Sequence, residues 1–477
     1  MTRTLIEHLD TVLTVDAGDT ILTDASIVIA DGKIEALGPA DDVGARFDES
    51  TFDTVISGHR CLAMPGFVDA HVHLSEQLSR SLFPDCMNTR AWVFNWGKPY
   101  YSAVNEDDEY LSALVAGIEM IRNGTTCFLE MGAQNDPRRV VQAIDEIGLR
   151  GITGRHAADR KPDVIPDYWT PEMVEHHFFP SADAALDELR RCVLDFNNTA
   201  GGRARCWVNI EGKEPCSPEL HVGARALAEE LGVGTTYHNA SSIEEALASE
   251  RKYGEWPISH LAKIGALGSN LVIAHAVALQ EHEVDLLAES DTKVALCPGT
   301  SLKIAKGATK IGRYPELLEA GVTVALGCDG TSAAGSLDLM RQMYLAAGLF
   351  KDARMDPTLV PAEKAIRMAT IDGARALLWD DEIGSLEPGK RADILLFDLS
   401  NIEWVPCHDP VQALVYSATP RSLRQVMVDG KVLFDDGKVT TVDEAALLAE
   451  AGERAKIIVA RSGLVRGKTP VTTTLYD

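Results

Sequence analysis

Two textures alternate along the chain. Near the N-terminus, apolar and polar positions alternate in short runs: Thr11-Val12-Leu13-Thr14-Val15, Ser26-Ile27-Val28-Ile29-Ala30 and Lys33-Ile34-Glu35-Ala36-Leu37-Gly38. A period of two puts successive side chains on opposite faces of a strand. Asp31-Gly32 between the last two runs supplies the residues of a two-residue hairpin turn. Runs of the same kind, Ala392–Asp398 and Gln425–Phe434 around Asp429-Gly430, return toward the C-terminus. The two ends, residues 1–62 and 386–440, are expected to form one small β-sandwich domain.

Between them, short apolar runs alternate with amphipathic helical stretches. The runs are Thr125–Leu129, Cys206–Ile210, Gly234–His238, Leu271–His275, Lys293–Cys297 and Val322–Gly327. Such alternation describes β/α units with a parallel sheet buried on both faces. The expected fold class is therefore α/β, a (β/α)₈ TIM-like barrel over residues 63–385, followed by a helical segment and tail over 441–477. The stretch Phe83–Tyr101, with Trp92, Phe94, Trp96, Tyr100 and Tyr101, reads as a long loop over the barrel mouth. It either lines a pocket for an apolar substrate or packs between barrel and neighbouring subunit.

Composition narrows the partners. Hydrophobic residues at 45% and charged ones at 24% describe a soluble globular protein. The formal charge, 45 − 71 = −26, repels nucleic acid and anionic membranes. Without an 18-residue apolar run or a signal-like N-terminus, a cytoplasmic enzyme acting on a small uncharged organic molecule is expected. The nine cysteines form no C-x-x-C pair, which fits reduced thiols; Cys328, beside a candidate ligand, stands out among them.

The chemistry collects at strand ends, where barrel enzymes place it. His71 and His73, two apart in Phe67-Val68-Asp69-Ala70-His71-Val72-His73, share one side of a strand. His238, His275 and Asp329 close three further runs. Neutral imidazoles with a carboxylate suit zinc or iron. Glu130 and His156 fall at further strand ends, to touch substrate or serve the scaffold, and His176-His177 reads as solvated loop.

Seven segments then resemble the amidohydrolase superfamily, in its cytosine-deaminase and triazine-hydrolase branch. They are Pro65–His73, Asn123–Thr126, Ser217–Leu220, Ala274–Ala276, Gly327–Gly330, Ala369–Leu377 and Gly384–Asp393. The resemblance implies an oligomeric metal-dependent hydrolase. His71, His73, His238 and Asp329 would hold one divalent ion, zinc first and iron, cobalt or manganese as alternatives, with room for a water whose pKa falls to ~7. Asp329 would take the water's proton. His275 would orient the nucleophile, stabilise an oxyanion or support the site from behind.

Two departures bear on the reaction. Ring deaminases of the branch carry Glu three residues after the strand-five histidine, where this chain has Ser241, too weak an acid to substitute. Binuclear members carry a carboxylated lysine on strand four, where this chain has Asn209; Lys213, a turn further on, reads as an exposed loop residue, so one metal is expected. With both features absent the chain is similar to phenylurea- and molinate-hydrolysing members. The expected reaction is hydrolysis of an amide, urea, carbamate or thiocarbamate bond in a xenobiotic, with deamination or dechlorination of a nitrogen heteroaromatic such as a triazine, guanine or cytosine as the alternative. Asn209, Ser241, Trp92, Glu130 and His156 are the candidate substrate-binding residues.

Overall fold

A computed structural model describes residues 2–473, so the last four residues of the expected tail lie outside the described residues. Eight parallel strands surround the centre: β1 (Phe67–Val72), β2 (Thr125–Glu130), β3 (Arg150–Thr153), β4 (Ala204–Cys206 and Val208–Gly212), β5 (Thr235–Asn239), β6 (Leu271–His275), β7 (Lys293–Leu296) and β8 (Val324–Leu326). Each is paired in parallel with its chain neighbour, β4 being interrupted at Trp207, whose amide donates to Thr153 O (2.8 Å). Closure between β8 and β1 uses Asp69. Its Oδ1 accepts from the amides of His71 (3.2 Å) and Cys328 (3.0 Å), while the Asp329 amide donates to His71 O (2.7 Å). The parallel strands are buried along almost their whole length, as helices on the outside of a barrel require.

Both ends of the chain contribute to one nine-stranded sheet. Its order is Lys438–Val439, Lys431–Asp435, Leu423–Val428, Ile394–Asp398, Cys61–Pro65, Arg3–Leu13, Ile21–Ala30 and Lys33–Pro39, with Thr54–Ser57 beside Arg3–Leu13. Ile6, Leu9, Val12, Ile27, Ile29, Ile394, Leu396 and Met427 share one core within it. Both Asp-Gly turns have positive φ at both residues, 48° and 80° at Asp31-Gly32, 49° and 69° at Asp429-Gly430. The first strand begins at Arg3, earlier than its alternation indicates, because a bulge between Ile6 and Leu9 resets the period. At Gly66 the chain passes from sheet to barrel; a Cβ there would lie 2.0 Å from Thr126 Oγ1, so only glycine fits.

Two expectations are corrected. The aromatic stretch is helical, Thr89–Ala91, Trp92–Gly97 and Lys98–Ala103 in succession, the middle one a wide π turn. Its Trp96 and Tyr100 are fully buried with Phe83 against Ala451, Ile458 and Leu464 at the C-terminal end of the chain, where Glu444–Ser462 is a helix. A sequence without 3.6-residue amphipathicity can still wind into a helix when every side is covered. His176-His177 ends the helix Pro171–His177, and His177 is buried, its Nε2 within 2.8 Å of Lys98 O and 2.9 Å of Ser102 Oγ. It anchors the aromatic helices and is not solvated. No helix among the described residues is long and apolar enough to cross a membrane.

Candidate metal centre

β1 ends in His71 and His73, β5 carries His238, β6 ends in His275, and Asp329 follows β8. The four imidazole centroids lie 5.0 Å (His71–His73), 5.1 Å (His71–His238), 5.2 Å (His73–His238) and 5.4 Å (His238–His275) apart. Asp329 Oδ1 is 3.6 Å from His71 Nε2 and 3.4 Å from His73 Nε2, and Oδ2 is 3.7 Å from His275 Nε2. All five side chains are buried or nearly so, within reach of one central point.

The ring orientations are fixed from behind. Glu211 O accepts from His238 Nδ1 (2.6 Å), so that nitrogen carries the proton and Nε2 turns its lone pair inward. There it meets His73 Nε2 at 3.2 Å. His73 Nδ1 lies 3.6 Å from Glu76 Oε1, and Glu76 in turn accepts from the Tyr101 and Ser332 hydroxyls. Gly330 lies against Glu76: a Cβ would stand 1.9 Å from Oε2. Among the described residues, both nitrogens of His71 and Nδ1 of His73 have no hydrogen-bond partner. Buried polar atoms left unpaired cost free energy, so His71 Nε2, turned toward Asp329 beside the inward Nε2 atoms of His73 and His238, fits a cation.

Electrostatics agree. Burial pushes His73 down to about 3 and drives His238 and His275 well below the ordinary imidazole value, keeping the rings neutral. Burial alone would raise the Asp329 carboxyl, but the surrounding imidazoles, His71 first, hold it well below the usual carboxylate range. Neutral imidazoles around a carboxylate anion are the protonation states that a metal requires. Burial and then the Asp329 charge push Glu76 up to about 8. Backbone strain gathers here as well, with φ of +78° at His275 and +64° at Asp329. Cys297 Sγ joins His71 and Asp329 in a cluster whose ligand atoms all lie within 4.8 Å of one another, but burial drives its thiol well above the ordinary value. Burial and the neighbouring Asp69 do the same to Cys328.

The cavity over this cluster is lined by Trp92, Tyr101, His156, Glu211, Lys213, Ser241, Glu245 and Lys306, among others. Of the five expected substrate residues, Trp92, His156 and Ser241 reach it. Glu130 and Asn209 do not: Glu130 accepts from Thr153 Oγ1 (2.8 Å) and Asn209 Nδ2 donates to Glu130 O (3.0 Å), pinning both between strands. Lys213 is buried, 6% exposed, with Nζ 4.2 Å from the Tyr253 ring centre, and is no exposed loop residue. Its desolvation lowers the amine to about 7. Glu76, Glu245 and Lys306 escaped the sequence reading. For Glu76 the signal was its position three residues after His73; Lys306 carried none, lying ten residues beyond its strand.

Comparison with known proteins gives the same grouping. The model of the family described as "Amidohydrolase family" matches residues 62–433. A 5-methylthioadenosine/S-adenosylhomocysteine deaminase from Desulforamulus reducens is 31% identical over 456 residues, covering 95% of this chain and 99% of that protein. An adenosine deaminase from Xanthomonas campestris, solved with bound zinc, superposes with a TM-score of 0.83 at 28% identity, over 96% of this chain and 98% of that one. A triazine hydrolase from Arthrobacter aurescens shares the fold, with a TM-score of 0.83 at 23% identity over 96% and 100% of the two chains. With its barrel, its terminal sheet and its buried histidine cluster, the chain belongs to the amidohydrolase family.

Proposed function

We propose that this chain is a metal-dependent aminohydrolase that exchanges the exocyclic amino group of a nitrogen heteroaromatic ring for an oxygen from water, releasing ammonia. The observation that carries the reading is the convergence of His71, His73, His238 and Asp329 with inward-facing ligand atoms, in a chain whose near-full-length relatives bear deaminase names. Those names weigh for the ring reaction over the carbonyl C–N hydrolysis expected from Ser241, and nothing in them points to a xenobiotic.

His71, His73, His238 and Asp329 would hold a single divalent ion, zinc being the one named with the Xanthomonas campestris structure. When bound, such an ion supplies Lewis acidity and lowers the pKa of a water to ~7. Asp329, ionised, accepts the proton of the attacking water at Oδ2. His275, whose Nε2 lies 3.7 Å from that oxygen, holds the water in line and steadies negative charge developing on the substrate. Trp92 and His156 flank a flat ring in the cavity, and the aromatic helices behind Trp92 exclude solvent.

Ser241 favours a second reading. A hydroxyl with no partner stands where a carboxylic acid would protonate a ring nitrogen, which suits an amide, urea or carbamate bond. The zinc-loaded protein should therefore be offered adenosine, 5′-methylthioadenosine, guanine and an aminotriazine beside a phenylurea, an anilide and a thiocarbamate. Ammonia release from a ring is expected; amine release from the carbonyl substrates alone would overturn the first reading.

A further inference from the structure

Any hydrolysis that expels nitrogen needs a proton on the departing atom, because an amide anion is too basic to leave. The cavity offers few sources, and Glu214, pushed up to about 7 by burial, is tied to Arg90. His238 commits its Nδ1 proton to Glu211 O, and His275 and Asp329 are turned to the metal centre. Tyr101 spends its hydroxyl hydrogen on Glu76, which stands behind His73 and does not line the cavity. Lys98 binds both oxygens of Glu211, at 2.8 and 2.7 Å, so that side chain is engaged away from a substrate. Burial raises the Glu245 carboxyl, but its two oxygens are engaged by the amides of Ala240 and Ser241, both at 2.9 Å. Lys213 also lines the cavity, but its ammonium is engaged with the Tyr253 ring, Nζ standing 4.2 Å from the ring centre.

Lys306 is different. It is 6% exposed, lines the same cavity as His73, His275 and Asp329, and among the described residues its ammonium makes no hydrogen bond and has no carboxylate within ion-pair distance. Of the charges around His275, that of Lys306 acts most strongly, and Glu245, beside Ser241, is among the carboxylates that steady Lys306. A buried cation without a partner is costly unless something it meets repays the cost. That something would enter the cavity Lys306 shares with His275, Ser241 and Asp329.

We propose that Lys306 is a catalytic residue whose ammonium donates the proton taken up by the leaving nitrogen, a role that Ser241 cannot fill. The inference deepens the aminohydrolase reading and rests on it for the identity of the substrate. Written in full, the water oxygen bonds to the ring carbon and passes a proton to Asp329. The carbon–nitrogen bond then breaks as the nitrogen takes a proton from Lys306 Nζ. Ammonia departs, Lys306 is left as the amine, and the proton held on Asp329 restores the ammonium. Burial lowers the Lys306 amine from its ordinary value, which helps the proton move.

Leaving groups test this in the full-length, zinc-loaded protein. For adenosine and for 4-nitroacetanilide, whose nitrogen must be protonated, Lys306→Met should lower kcat by about 10²–10⁴-fold, the range for a lost general acid. For 4-nitrophenyl acetate, whose phenolate leaves unaided, it should change little. Lys306→Arg keeps the charge but holds its proton, so it should fail on the amine substrates too, while methylammonium should partly restore Lys306→Met. Zinc content and melting temperature should be unchanged, showing that the variants fold. Equal losses on ester and anilide, or full activity of Lys306→Arg, would overturn the role. Ammonia from adenosine that is insensitive to Lys306→Met would overturn it while leaving the aminohydrolase reading intact. If wild type cleaves the anilide but releases no ammonia from adenosine, the substrate reading fails and the anilide–ester comparison still decides Lys306. No turnover of any of the three overturns both.

Discussion

The two ends of the barrel treat buried charge in opposite ways. At the N-terminal end, Arg150 opens β3 and is 1% exposed, with Nε and Nη2 donating to Asp393 (3.0 and 3.1 Å) and Nη2 also to Asp429 (2.7 Å). Burial would lower its guanidinium, yet the two carboxylates hold it above its ordinary value. Asp393 and Asp429 come from the terminal sheet, so this network fastens sheet to barrel. At the C-terminal end, His71, His73 and Ser241 keep unpartnered polar atoms, and Lys306 is unpaired. Satisfied charge is scaffold. Unsatisfied charge, held in place by satisfied neighbours such as Glu76 and Glu211 O, is where a ligand completes the structure.

That contrast is broken first at the metal centre. His73→Ala and Asp329→Asn should lose bound zinc, measured by elemental analysis, and activity by on the order of 10³-fold or more, while the folded state survives. The other end should respond in reverse. Arg150→Met leaves Asp393 buried without its cation, Asp429 keeping Arg391 at 3.4 Å, so denaturant unfolding should show a loss of about 3–5 kcal/mol with turnover per folded molecule unchanged. A variant that keeps its stability but loses turnover would erase the distinction between the two ends.

A third test uses a histidine outside both networks. His221 is buried, its Nδ1 donates to Ser217 O (2.9 Å), and burial lowers it from 6.5 to about 3. Between those two values the unfolded chain binds a proton that the native chain refuses, so stability falls as pH falls through this window and is level above it. His221→Gln should reduce that slope by up to about 1.4 kcal/mol per pH unit, measured by unfolding at a series of pH values. The smallest effect belongs to Ser241→Ala. Its hydroxyl has no partner, so kcat should change by about threefold or less. A hundredfold loss would return the proton delivery to Ser241 and take it from Lys306.

Much of this was legible in the chain itself. Period-two alternation and Asp-Gly turns marked the terminal sheet, and continuous apolar runs marked the parallel strands. His71, His73, His238, His275 and Asp329 were readable because strand ends recur where apolar runs stop. What the sequence hid was side-chain direction across long separations. Asn209 and Glu130 sit at strand positions like those of the histidines, yet they bond across strands instead of reaching the cavity. Lys213 read as a loop lysine, and Lys306 gave no signal at all, because only the three-dimensional path of their loops buries them. The aromatic helices, packed between the cavity and the C-terminal helix, carried no amphipathic signal to distinguish them from a loop.

The most direct test of the central claim follows ammonia release from adenosine and an aminotriazine as zinc is titrated into chelator-stripped protein. No release is expected before addition, then a rise that saturates at one ion per chain. Release that persists without metal would contradict it, as would a fully zinc-loaded protein that frees no ammonia from any ring.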